Sequence, residues 1–289
     1  MKVPHDVRVP TGTRVHLDRW PTVIAPLYGS EAEYKALLEA DVRQLSSLQK
    51  LLYASNRYSL LLVFQAMDAA GKDGAISHVL RGVNPQGCEV YSFKHPTVDE
   101  LEHDFLWRTT CRLPSRGRTG VFNRSYYEEV LIARVHPEIV RDENLPEELA
   151  EQKKLWKQRY RSIVELEKHL HRNGTRVIKF FLHLSKEEQR KRFLERIDDP
   201  DKNWKLSEAD IVERRFWNEY QKAYEHCLGA TSKKHARWHV VPADDKYNAR
   251  LIISRVVIDA LEDLDMSYPQ MTEARRNALQ AIGKELVSG

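Results

Sequence analysis

The chain has 289 residues, 42% of them hydrophobic and 30% charged, enough for a sizeable core within a well-solvated surface. Its 46 basic and 42 acidic residues leave a formal net charge of +4, which argues against a nucleic-acid- or membrane-coating protein and confines any basic site to a local cluster. The N-terminal residues lack a secretory apolar core, no run reaches membrane-spanning length, and Cys88, Cys111 and Cys227 are too few for a disulfide framework, so a cytoplasmic protein is expected.

Residues 1–29 read as an irregular, proline-containing arm. Ser30-Glu31-Ala32-Glu33 has the form of a capping box, and Tyr34, Leu37, Leu38, Val42, Leu45, Leu48, Leu51 and Leu52 recur at three and four, predicting a helix that ends near Asn56. Strand-like runs then fall at 60–64, 88–93, 120–122, 176–184 and 238–241. Helical patterns fill 73–80, 97–110, 125–135, 147–172, 185–197, 207–228 and 247–264. Strands apolar throughout and separated by helices imply a parallel sheet covered on both faces, an α/β fold. With no linker or internal repeat, residues 1–289 are expected to form one domain.

The stretch LLLVFQAMDAAGKDG, residues 60–74, carries the first strand into a small-residue loop containing Gly71-Lys72. Open parallel sheets bind ligands at the C-terminal ends of their strands. A loop placed there, with backbone N–H groups and a helix N-terminus facing an anion, makes a phosphate cradle in which lysine adds a point charge. Ala69, Ala70, Gly71, Lys72, Asp73 and Gly74 are the candidate cradle. Two positions depart from G-x-x-x-x-G-K-[ST], with Ala66 in place of the first glycine and Asp73 in place of the hydroxyl residue that would meet Mg²⁺. A carboxylate beside anions is unfavourable unless a cation lies between them, so Asp68 points to Mg²⁺ held partly from within the loop. A tight strand-to-helix turn with an exposed lysine is the plainer alternative.

The third strand runs into VFNRSYYEEV, residues 121–130, which brings Asn123 and Arg124 to the same sheet edge. Arg124 is suited to neutralising charge on a transferring phosphoryl group. Upstream, Arg112, Arg116 and Arg118 form a one-sign cluster, read either as a polyanion contact or as a solvated loop. In SKEEQRKRFLERIDDPDKNWK, residues 185–205, Arg192 and Arg196 are four apart on one helix face. Seven basic residues against six acids there leave open both a solvated helix and a lid whose arginines close over phosphates.

Four ordered stretches, MDAAGKDG (67–74), GVNPQG (82–87), FNRSYYEEVL (122–131) and SKEEQRKRFLERIDDPDKNWKLS (185–207), resemble the family-2 polyphosphate kinases, and the resemblance covers about residues 30–265. It implies a thymidylate-kinase-like P-loop kinase fold, a three-layer sandwich around a five-stranded parallel sheet with a helical lid near 185–207. It also implies Mg²⁺-dependent exchange of a terminal phosphoryl group between inorganic polyphosphate and a nucleotide. By the same match, Asp68 and Asn123 would organise Mg²⁺, Lys72 would hold phosphate, and Arg124, Arg192 and Arg196 would clamp the transferring groups. Asn123 with Glu128 looks like the class III branch, whose acceptors are AMP and ADP, and the family implies homodimers or homotetramers.

The chemistry is self-consistent. A nucleotide phosphate oxygen is already ionised at neutral pH, so no general base is required, and positioning plus charge cancellation carry the transfer. A polymeric donor needs a track of positive charge, with Lys94, Arg112, Arg116, Arg118 and the run at 153–161 as candidates. The twelve histidines lack zinc-ligand spacing. Glu128 and Tyr127 are candidates for the nucleotide site, with Tyr126 and Trp217 as further choices for stacking the base. Two rival readings stay open, an ATP-dependent nucleoside monophosphate kinase and a non-catalytic polyphosphate-binding scaffold.

Overall fold

The computed structural model describes residues 7–150, 152–201 and 203–288. Five strands, β1 (Ser59–Ala66), β2 (Cys88–Ser92), β3 (Thr119–Asn123), β4 (Thr175–His183) and β5 (Trp238–Pro242), form one sheet in the order β2-β3-β1-β4-β5. Every neighbouring pair is parallel. The alternation of side chains in the central strand explains the two covers. Leu61 and Val63 join one apolar cluster and Leu60, Leu62 and Phe64 the other, all at 1% exposure or less. Each such side chain contributes roughly 1.5–3 kcal/mol of burial.

The longer helices are α1 (Glu31–Ser55), α2 (Lys72–Val79), α3 (Glu128–Val135), α4 (Gln152–Arg172), α5 (Lys186–Asp198), α6 (Trp217–Thr231), α7 (Lys246–Glu262) and α8 (Glu273–Ser288). Helices α1, α2 and α7 bury Leu45, Leu52, Ile76, Ile252 and Val257 on one face, while α3, α4 and α6 bury Val130, Ile163, Tyr224 and Leu228 on the other. The result is the three-layer α/β arrangement that the patterning implies. No described helix is long and apolar enough to cross a membrane.

The differences from the expected elements have local causes. The single helix expected over 97–110 is two short ones, Val98–Leu101 and Trp107–Thr110. Asp104 intervenes: its carboxylate accepts from the Leu106 N–H at 2.9 Å and its carbonyl accepts from the Trp107 N–H at 2.9 Å, a turn that competes with the helix. Residues 1–6 of the expected arm lie outside the described residues, and residues 7–29 are less irregular than their composition implies. Val9 donates its N–H to Trp238 O and Val7 O accepts from the Val240 N–H, both at 2.8 Å, so the arm covers the outer edge of β5. Helix α8 is exposed at every described position.

His183 closes β4 with 5% of its surface exposed, and burial pushes its imidazole down to about 4 against the opposing pull of Asp244. Between its unfolded value of about 6.5 and that folded value, the unfolded chain binds a proton that the folded chain refuses, so stability falls as pH drops through this window. From pH 7 to pH 5 this site is expected to cost about 2 kcal/mol. Urea melts at both pH values check it. His183→Leu should flatten that part of the slope, and an unchanged slope would assign it to other groups.

Candidate active site

The C-terminal edge of the sheet opens into a cleft of about 880 Å³. Its floor is the loop from Asp68 to Gly71, where β1 ends, followed by Lys72, Asp73 and Gly74 at the start of α2. Gly71 caps that helix at φ 94°, a left-handed conformation that favours glycine, and Ala69 precedes it at φ 62°. The Lys72 ammonium donates to Ala66 O at 3.1 Å, and burial lowers its pKa while Asp68 opposes the shift. Asn123 donates through Nδ2 to Asp73 Oδ1 at 2.7 Å, tying the end of β3 to the start of α2.

Arg124 follows β3 at φ 66°, a conformation that costs a non-glycine residue about 1–2 kcal/mol. Its N–H donates to Phe64 O at 3.0 Å and its guanidinium lies 3.5 Å from Asp68, a loose pair in which both side chains are about one-third exposed. Burial works against the Arg124 charge, but Glu128 and Asp68 outweigh it and hold the pKa above its ordinary value. Arg196, Trp204 and Asp210 line the cleft from the side of α5 and the chain that follows it, with Trp204 73% exposed. Lys94 and His95 line it beyond β2, and Lys246 and Arg250 from the first turns of α7.

Arg192 is placed differently from the expected phosphate clamp. Its Nε donates to Glu188, Nη1 to the carbonyls of Ala69 and Ala70, and Nη2 to those of Ala243 and Asp244, at 2.7–3.1 Å. A guanidinium has five N–H donors, and all five are taken. Gln189, one turn earlier, donates to Asp68 O at 3.0 Å. The first half of α5 is thus a brace for the phosphate loop, and Arg192, although it lines the cleft beside Glu195 and Arg196, has no donor left for a phosphate. Arg192 orients the loop.

Other expected residues also lie elsewhere. Tyr126 and Tyr127 are fully buried, and Trp217 is 9% exposed, so none presents a face to a base. Glu128 sits behind the loop, where it accepts from Gln65 Nε2 at 2.7 Å, and burial raises its pKa. Arg118 and Arg116 precede β3, and Leu60 at the start of β1 donates its N–H to Arg118 O. They therefore lie at the opposite edge of the sheet from the cradle, about 17 Å away along a five-residue strand. Arg118 is engaged with Gln86 O, and Arg112 lies over the Tyr91 ring at 5.4 Å. Of the four single residues and the run at 153–161 named for a polyanion track, Lys94 alone lines the cleft among the described residues. Lys246 and Arg250 were not anticipated from sequence, although the first turn after β5 must emerge at the same edge as the phosphate loop.

A sequence model of the polyphosphate kinase 2 family matches residues 28–269. The chain belongs to the polyphosphate kinase 2 family. The chain is 60% identical over 280 residues to the "ADP-polyphosphate phosphotransferase" of Rhodopseudomonas palustris, covering 97% of both chains. It is 44% identical over 242 residues to the "AMP/ADP-polyphosphate phosphotransferase" of Meiothermus ruber, covering 84% of this chain and 86% of that one. The crystal structure of Polyphosphate Kinase 2 from Arthrobacter aurescens superposes with a TM-score of 0.85 at 39% identity, covering 97% of each chain. The fold is accordingly the P-loop kinase fold of polyphosphate kinase 2, and the cleft occupies its phosphate-loop edge.

Proposed function

We propose that this protein is a polyphosphate-dependent nucleotide kinase that transfers the terminal phosphoryl group of inorganic polyphosphate to AMP and ADP, reversibly. The observation that carries this reading is one cleft in which Lys72, Arg124 and Arg196 converge around a phosphate loop. The full-length relatives, named for that reaction, support it. A nucleotide phosphate oxygen attacks the terminal phosphorus in line; the new P–O bond forms as the bond to the shortened polyphosphate breaks, and no proton transfer is needed. Lys72 and the backbone N–H groups at the start of α2 receive donor phosphates, while Arg124 and Arg196 offset charge on the group in transit.

Asp68, Asp73 and Asn123 bring hard oxygen donors to the same cleft, a set that fits Mg²⁺. The Asn123–Asp73 bond uses the amide nitrogen and leaves the Asn123 amide oxygen available among the described residues. Asp68, Asp73 and Asn123 would hold Mg²⁺, and its charge would offset that of the phosphates. Within one kinase domain, the described residues of 185–207 beyond Phe193 serve as the lid, with Arg196 and Trp204 facing the cleft. Among the described residues Trp204 is the sole tryptophan, tyrosine or phenylalanine lining the cleft, which makes it the candidate for stacking the base in place of Tyr127. A cytoplasmic homodimer or homotetramer, binding neither nucleic acid nor membrane, completes the proposal.

The deciding experiment supplies AMP, Mg²⁺ and long-chain polyphosphate without ATP and follows nucleotides by chromatography. ADP followed by ATP is expected. ADP formed only when ATP is the donor would establish a monophosphate kinase instead, and no transfer from either donor would favour a scaffold. In the same assay Trp204→Ala should raise the nucleotide KM about 10-fold or more while leaving the polyphosphate KM within about 2-fold, the size of one lost base stack. The opposite pattern would place Trp204 on the polyphosphate path.

A further inference from the structure

Beneath the cleft lies an ion pair that the transfer chemistry does not use. Lys179 on β4 and Glu167 on α4 are 2.7 Å apart, and both side chains are wholly buried. All three Lys179 donors are engaged, with Glu167 Oε2 at 2.7 Å, Tyr127 Oη at 2.8 Å and Thr231 O at 2.9 Å. Glu167 Oε1 accepts from two consecutive hydroxyls, Tyr126 at 3.0 Å and Tyr127 at 2.8 Å. Every polar atom of the cluster is satisfied. Even so, a buried ion pair in good geometry is on average no more stabilising than apolar side chains of the same volume, so stability alone does not account for it.

What the cluster fixes is the chain leaving β3. Two successive tyrosines are tethered to one carboxylate, and they follow Arg124 and Ser125 directly. The turn is pinned again by the Tyr127 N–H, which donates to Ser125 Oγ at 3.2 Å, and by the Arg124 N–H on Phe64 O at 3.0 Å. Between these anchors sits Arg124 at φ 66°, a conformation that persists only where the surroundings over-determine it. We propose that the Glu167–Lys179 pair, through Tyr126 and Tyr127, is a positioning device that holds the Arg124 backbone in its left-handed conformation and so aims the guanidinium into the cleft. The proposal rests on the reading of Arg124 as a group that meets the transferred phosphoryl.

A double-mutant cycle tests it. One arm is the neutral pair Glu167→Gln with Lys179→Met; a milder arm is Tyr126→Phe with Tyr127→Phe, which keeps both rings and removes only the hydroxyls. Each is made in the wild type and in Arg124→Ala, with Tm, kcat/KM for polyphosphate and calorimetric affinity for tripolyphosphate recorded. Positioning through Arg124 predicts a loss of about 10- to 100-fold in kcat/KM in the wild type, and less than about 3-fold further loss once Arg124 is absent. Equal losses in both backgrounds, or a lowered Tm with kcat/KM unchanged, would overturn the proposal and make the cluster a core element only. If the neutral pair fails to fold, the tyrosine pair alone decides by the same criterion. A wild type that transfers nothing from polyphosphate would defeat the functional reading. The cycle is then read on tripolyphosphate affinity, where additivity still overturns the inference and coupling sustains it.

Discussion

Arg192→Lys is expected to lose both stability and activity, although it preserves the charge. The guanidinium holds four backbone carbonyls from two loops and one carboxylate in a fixed fork. A lysine has three donors from one point and cannot span them. With a buried ammonium left among under-satisfied carbonyls, the cost should be roughly 3 kcal/mol, a fall in Tm of about 5–10 °C for a chain of this size. Because the carbonyls of Ala69 and Ala70 belong to the phosphate loop, kcat/KM should drop by about 100-fold or more. Arg196→Ala provides the contrast. That partly exposed side chain lines the cleft, so its removal should cost activity with Tm within about 1 °C of wild type. Calorimetry beside steady-state assays separates the two. An Arg192→Lys protein with wild-type Tm and lost activity would show that this guanidinium meets substrate after all.

Lys72→Ala should have the larger effect on catalysis and almost none on the fold. In the structure the ammonium makes one hydrogen bond, to the last carbonyl of β1, and burial already disfavours its charge. A phosphate oxygen arriving beside it would be paired in a water-poor cleft, where a single preorganised donor is worth about 100- to 1,000-fold in rate. A loss of about 1,000-fold with an unchanged melting curve is expected. Activity within 10-fold of wild type would remove Lys72 from the mechanism.

The strands and the phosphate loop were legible because the same physics writes both into the sequence. A strand buried on two faces must be apolar throughout, and a loop that lets a backbone approach phosphate must be built of small residues. The orientation of charged side chains was not legible in the same way. Arg192 and Arg196 share a helix face by spacing, yet one reaches under the loop to carbonyls and the other faces the cleft, and both carbonyls and phosphates attract guanidinium. Tyr127 lies within the FNRSYYEEVL motif, but burial against Glu167 of α4, Lys179 of β4 and Trp238 of β5 decides its role. Arg116 and Arg118 could have been rejected at the outset. Residues that precede a parallel strand lie at the edge away from the ligand, and by the same rule those that follow β5, Lys246 and Arg250, could have been found.

The seam between the arm and β5 bears on how the chain reaches this state. Ser232 donates its hydroxyl to Val9 O across a separation of 223 residues, beside the pairing of Val7 and Val9 with Trp238 and Val240. A chain emerging from the ribosome N-terminus first must therefore carry this segment without its partner until β5 has been made. Contacts of such long range close slowly and late. Once β5 has formed, its outer rim stays bare until the arm closes on it, and the same segment of a neighbouring nascent chain is the competitor most able to claim it. For this protein, a segment synthesised early, Val7 to Val9, is among the last to be folded.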